Sequence, residues 1–137
     1  NLTCILIKLR INLIISDSVT NTETELSGTE GKTVTLQCSY STASNNPLLY
    51  WYRRYPNQAL HYMLLRGAKS ASSFEHKAGF AHGRFSSTTA HDSTELQISA
   101  LSLSDSAIYY CALSECMVCK YSVLCDRLFV RQKKWTI

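Results

Sequence analysis

The sequence predicts an all-β protein made of many short strands. From about Val19 onward, apolar and polar residues alternate in runs of strand length, divided by Gly, Pro, Asn and Ser. No stretch repeats its apolar residues at the spacing of an amphipathic helix. A third observation concerns the cysteines. Six of them (Cys4, Cys38, Cys111, Cys116, Cys119 and Cys125) point to an oxidising, exported protein, and Cys38 and Cys111 stand far apart in well-patterned surroundings.

Length and composition bound the answer. A chain of 137 residues has room for one packed domain and tails, but not comfortably for two domains. With 45% hydrophobic and 18% charged residues, two prolines and five glycines, it is globular rather than fibrous or disordered. The formal charge of +4 sits entirely at the C-terminus, where Lys120, Arg127, Arg131, Lys133 and Lys134 face one acid, Asp126. The remainder is neutral. A nucleic-acid-binding body needs positive charge on the folded face that tracks phosphates, so no nucleic acid is expected as a partner.

Taken in order, residues 1–16 contain two apolar runs broken by Lys8 and Arg10, too short and too charged for a membrane span. They are expected to be a leader remnant or an artefactual segment outside the fold. The domain is expected over residues 17–114. After a turn at Gly28 to Gly31, Val34, Leu36 and Cys38 alternate with Thr33, Thr35 and Gln37, which puts three apolar side chains on one face of a strand. Residues 41–47 are rich in Ser and Asn and read as a loop. In the next strand, residues 48–52, counting by two from Trp51 puts Leu49 inward and Tyr50 and Tyr52 outward. A turn at Tyr55-Pro56-Asn57-Gln58 leads to a strand at 60–65. Further strands follow at Arg84-Phe85, at Leu96 and Ile98, and over 107–113, where Tyr109 and Cys111 share one face and Tyr110 takes the other.

Cys38, Trp51 and Cys111, with Tyr109 two residues before the second cysteine, resemble the core of an immunoglobulin sandwich in residue type, order, strand parity and spacing. The resemblance implies a Greek-key β-sandwich with a Cys38–Cys111 disulfide between its sheets and Trp51 packed on the bridge. Closing so long a loop contributes about 4 kcal/mol in the chain-entropy account. Leu36, Phe85, Leu96, Ile98 and Tyr109 complete the expected core around Trp51. Arg84 and Asp105 are expected to close the bottom of the sandwich as an ion pair, the alternative being two unrelated surface charges. The distance from Trp51 to Phe85 leaves room for two additional edge strands, which is the variable-type arrangement.

Residues 19–113 resemble a T-cell receptor variable domain, most closely the alpha/delta type. The resemblance rests on Trp51-Tyr52-Arg53-Arg54-Tyr55-Pro56, Ala59-Leu60, Leu96-Gln97-Ile98 and Asp105-Ser106-Ala107-Ile108-Tyr109-Tyr110-Cys111-Ala112-Leu113. It implies one half of a heterodimer with a beta/gamma-like second variable-domain chain, met through the outward face that carries Tyr52, Arg54, Leu60 and Tyr110. The family usually has a glutamine where Arg54 stands, and arginine cannot accept the hydrogen bond of that symmetric pairing. The ligand-reading loops implied are Thr42, Ala43, Ser44, Asn45 and Asn46, then Arg66, Gly67, Ala68, Lys69 and Ser70, then Leu113, Ser114 and Glu115. The implied ligand is a peptide displayed on a histocompatibility molecule. Signalling subunits would be engaged through parts of the protein outside this sequence, as would the anchor, on the extracellular side of the plasma membrane.

A complete variable domain adds a last strand that opens on a Phe-Gly-x-Gly bulge. Nothing from Glu115 onward matches it, so the sandwich is expected to lack a proper last strand, with residues 115–137 a non-homologous basic tail. An unrearranged variable segment read past its recombination point would give this ending, and would leave one sheet edge open.

Competing chemistry is thin. Cys116-Met117-Val118-Cys119 has the spacing of a redox pair or half a zinc site, but a second pair is missing. His61, His76, His82 and His91 are scattered without ligand spacing, and no nucleophile has a fixed base. No cofactor, metal or catalytic function is expected. The alternatives that remain are an innate immune-type or antibody-like variable domain and, more remotely, a zinc or redox protein.

Overall fold

The computed structural model describes residues 18–20, 25–119 and 122–135, with the backbone alone for residue 25 and for 115–135. Ten strands run in chain order: β1 Ser18–Thr20, β2 Glu25–Leu26, β3 Val34–Ser41, β4 Pro47–Arg54, β5 His61–Gly67, β6 Glu75–Lys77, β7 Phe85–Thr89, β8 Ser93–Ile98, β9 Ala107–Cys119 and β10 Ser122–Trp135. They form two sheets, β1-β3-β8-β7 and β2-β10-β9-β4-β5-β6. The first is antiparallel throughout, and in the second only β10 and β2 pair in parallel. The two additional edge strands expected between Trp51 and Phe85 are β5 and β6.

The parity read from the sequence sets the layers. Leu36 and Cys38 from β3, Leu49 and Trp51 from β4, Leu96 and Ile98 from β8, and Tyr109 and Cys111 from β9 are all buried in one core, joined by Phe85 and Met63. Cys38 and Cys111, 73 residues apart in sequence, are joined by a disulfide across the sheets with their Cα atoms 6.6 Å apart. Trp51 stands opposite Cys111 in the β4–β9 register, so the largest core side chain lies next to the bridge.

The turns have local causes. Gly31 holds φ at +82° and donates its N–H to Leu101 O at 2.7 Å, a conformation that glycine adopts without a Cβ clash. Gln58 N–H donates to Tyr55 O at 3.1 Å around Pro56 and Asn57, the latter at φ 57°, the combination that a type II turn uses.

The bottom is closed by a network around Asp105. Arg84 grips its carboxylate with both terminal nitrogens, at 2.8 and 2.9 Å, and also donates to Ser99 O at 3.1 Å. Ser102 N–H donates to the same carboxylate at 2.9 Å, and Tyr109 OH donates to Asp105 O at 2.6 Å. Beside it the Arg53 guanidinium lies over the rings of Tyr55, Phe80 and Phe85 at 4.9, 4.8 and 5.5 Å. Counting by two from Trp51 leads to Arg53, whose charge masked a half-buried position among aromatic rings.

One expectation is corrected. The last-strand position is filled: β10 pairs with β9 from Ser122↔Cys119 to Trp135↔Ala107, with an irregularity between Cys125 and Leu128. The expected boundary at residue 114 therefore falls within β9. The physical reason is that a ladder is made by backbone N–H and C=O groups. The tail holds neither of the two prolines, which stand at 47 and 56, so it can satisfy the open edge of β9 without the two-glycine bulge. The expectation for residues 1–16, and with it Cys4, lies outside the described residues.

Candidate binding site

Strand register gathers two connections and the far end of β9 at one end of the molecule. Pro47 pairs with Glu115 and Leu48 with Gly67. The β3–β4 connection (42–46) and the β5–β6 connection (68–74) therefore leave the sandwich on the same side, where β9 also runs on past Glu115. The pairing of β4 with β9 ends at Glu115, whereas β9 continues to Cys119 paired with β10 alone. At this end β9 and β10 thus run past the neighbouring strand as a two-stranded ribbon.

The first two connections are tied together by backbone bonds. Ser70 N–H donates to Asn45 O at 2.9 Å and Ala68 N–H to Pro47 O at 3.1 Å. Gly67 is the crowded point of the second. Its N–H donates to Phe74 O at 2.8 Å, its carbonyl accepts from Thr89 Oγ1 at 2.8 Å, and a Cβ built on it would meet Ala71 O at 2.0 Å. Phe74 is left 54% exposed at the rim. Arg66 is held by Glu75 at 3.0 Å.

A second surface lies on the outward face of the larger sheet. Tyr50 and Tyr52 stack at 6.2 Å, Tyr52 meets Tyr62 edge-on at 5.9 Å, and Tyr62 stacks on His76 at 5.6 Å while sharing a 2.8 Å hydrogen bond with His76 Nδ1. Burial, then the neighbouring Tyr50 and Tyr52, push the Tyr62 hydroxyl up to about 12. Tyr52 stands opposite Tyr110 in register, and the Arg54 guanidinium lies over the Tyr110 ring at 5.7 Å. Leu60 is 47% exposed just before β5.

Comparison with known proteins follows the same line. The immunoglobulin V-set domain family matches residues 21–122. The chain is 36% identical over 109 residues to T cell receptor alpha variable 9-2 of Homo sapiens, covering 80% of this chain and 92% of that one. It is 41% identical over 98 residues to T-cell receptor alpha chain V region CTL-F3 of Mus musculus, covering 72% and 70%. Similarity extends to the probable non-functional T cell receptor beta variable 5-3 of Homo sapiens, 35% identical over 101 residues, covering 73% and 83%. The chain belongs to the T-cell receptor variable domains of the immunoglobulin V-set.

In this variable domain the two described end connections and the tyrosine face are separate surfaces on one sandwich frame. Of the residues expected to present themselves to a ligand, Thr42, Ala43, Ser44, Asn45, Asn46, Lys69 and Ser70 lie at the open end. Four others are buried in this structure. Leu113 is fully buried in β9, because it continues the inward parity of Tyr109 and Cys111, and Gly67, Ala68 and Ser114 are buried beneath the connections. The side chain of Glu115 is outside those described.

Of the tail cysteines, Cys116 and Cys119 both lie in the backbone of β9. Cys125 stands opposite Cys116 in register. Among the described residues, no cluster of three His, Cys, Asp or Glu side chains converges on a metal site. His76 is occupied by Tyr62, and His91 sits in the open 3.8 Å from Asp92.

Thr94 and Arg53 are working residues that reading the sequence passed over. Thr94 shares the parity of Leu96 and Ile98, and it was the hydroxyl that hid its inward place.

Proposed function

We propose that this domain is the antigen-recognition part of an alpha-type T-cell receptor chain, which pairs with a second variable-domain chain of beta type and reads a peptide displayed on a histocompatibility molecule in adaptive immunity. The observation that carries the reading is the meeting of the 42–46 and 68–74 connections with the β9–β10 ribbon at one end of a frame whose outward face is lined by tyrosines. Rigid amphipathic aromatics suit a desolvated interface, and small polar loop residues suit adaptable recognition. Tyr52, Arg54, Leu60 and Tyr110 meet the partner chain. The work is binding, not catalysis. It takes place on the extracellular side of the plasma membrane, with anchor and signalling subunits contributed through the rest of the receptor.

One observation favours a second reading. Arg54 lies on the Tyr110 ring of its own chain, where a symmetric partner contact would need an acceptor, as an innate immune-type domain acting without that partner would allow.

The test is co-secretion of the oxidised chain with a beta-type variable chain, followed by native mass measurement and a screen against peptide-loaded histocompatibility molecules. A one-to-one heterodimer that is lost in Tyr52→Asp, and that binds a subset of the loaded molecules, supports the receptor reading. A chain that stays monomeric with every beta-type partner, yet is folded and disulfide-bonded, overturns it in favour of the second.

A further inference from the structure

Lys69 departs from what its backbone asks for. It holds φ at 52°, the left-handed region where a side chain is strained and glycine is the usual occupant. Strain of this kind persists only where the surrounding structure enforces it. The Lys69 side chain shows what is gained. Its Nζ donates to Thr42 O at 3.1 Å and to Ser44 O at 3.3 Å, both in the neighbouring connection. The residues on either side do the same with their backbones, Ala68 N–H on Pro47 O and Ser70 N–H on Asn45 O. Carbonyls of Thr42, Ser44, Asn45 and Pro47 are thus taken by three consecutive residues of the second connection.

The first connection is also folded on itself. Ser44 N–H donates to Thr42 Oγ1 at 3.1 Å and Asn46 N–H to Ser44 Oγ at 3.1 Å, which turns those carbonyls toward Lys69. None of the acceptors is a carboxylate, so the ammonium is directed by geometry rather than by an ion pair.

We propose that Lys69 is a positioning residue: its ammonium straps the 42–46 connection to the 68–74 connection, so that the two present one fixed surface instead of two independent loops. A fixed surface loses less freedom on binding, which lowers the entropy cost of association. That this surface faces the ligand rests on the functional reading above. The strap itself does not, and its test needs no ligand.

The experiment is amide hydrogen exchange, read residue by residue by NMR on the oxidised full chain, in the native protein and in Lys69→Met, Lys69→Gly and Lys69→Arg. Met keeps the apolar stem and removes the donors; Gly also relieves the backbone. With the strap lost, exchange at Ser44 and Asn46 speeds up roughly three- to tenfold in both Met and Gly variants, the range expected for surface hydrogen bonds from a charged donor. The β3 amides and the unfolding midpoint stay put, and Arg restores much of the protection. Unchanged protection in Lys69→Met overturns the proposal. So does full protection in Lys69→Gly, which would assign the order to the backbone bonds alone. Faster exchange spread through β3 would make Lys69 a general stability residue and count against it equally.

Discussion

The Trp51 indole Nε1 donates to Thr94 Oγ1 at 3.3 Å in the buried space between the sheets. Thr94 in turn donates to Thr88 O at 3.2 Å and stands opposite Cys38 in register. One hydroxyl therefore joins the core tryptophan of one sheet to the ladder of the other, beside the disulfide. Thr94→Val keeps the shape and leaves the indole N–H without its acceptor, which destabilises by about 1–3 kcal/mol, the desolvation penalty of a buried orphan donor. Thr94→Ser keeps the hydroxyl and lowers the denaturant midpoint much less. Equal midpoints for the two variants would mean that packing, not the hydrogen bond, sets the role of Thr94.

Asp105 lowers stability when it loses either its charge or its partner. Burial alone raises its pKa, but the hydrogen bonds from Arg84 and Ser102 N–H and the Arg84 charge outweigh that, and the carboxyl lies below its ordinary value of 3.8. A carboxylate depressed in the folded state contributes stability that is complete above pH 3.8 and is lost as pH falls through the folded value. Arg84→Met leaves a charge on a side chain only 2% exposed; since Arg84 itself is 39% exposed and water screens it, the expected loss is about 2–3 kcal/mol, below that of a wholly buried pair. Acid unfolding followed by circular dichroism should move to higher pH in Arg84→Met, and an unmoved acid limb would remove Asp105 from the account.

The tyrosine face makes an alkaline prediction. The Tyr62 hydroxyl is raised from 10.0 to about 12, and burial also raises Tyr52 and Tyr109. A raised acid favours the neutral form in the fold, so this stability is full below pH 10.0 and disappears as pH climbs toward about 12. Tyrosinate absorbance of the native domain should show a late-titrating set that shrinks in Tyr62→Phe. If Tyr62→Phe removes an early-titrating ring instead, the stacked cluster with His76 does not persist in solution.

Gly67 should tolerate no Cβ. Its φ is ordinary, so the obstacle is space alone: the added carbon would meet Ala71 O at 2.0 Å, and backbone cannot swing aside as a side chain tip can. Gly67→Ala is expected to destabilise by about 1–3 kcal/mol, as overpacking does, and to shift the 68–74 connection, with the β8 amides undisturbed. A crystal structure of the variant with an unmoved Ala71 carbonyl would contradict the close approach.

Much of this domain was legible before the structure, and for a definite reason. The side-chain period of a strand is two, so Trp51, Leu49, Tyr109 and Cys111 declare their inward face by parity, and the spacing of Cys38, Trp51 and Cys111 names the sandwich. Parity also carries Leu113, the end of the strand expected over 107–113, into the core, although the resemblance had implied a place for it among the ligand-reading residues. Arg53 and Thr94 were hidden because their chemistry argues for solvent while their position argues for the core; only the rings around Arg53 and the indole opposite Thr94 settle it.

The sequence by itself determined the all-β class through local alternation, and through the resemblance carried by Cys38, Trp51 and Cys111 it determined the sandwich and its cysteine pair. The tertiary structure alone decided that β10 closes the edge of β9, and that Lys69 reaches the carbonyls of a loop about twenty-five residues earlier in the chain. Both depend on backbone groups, which every residue carries alike and which no residue type announces.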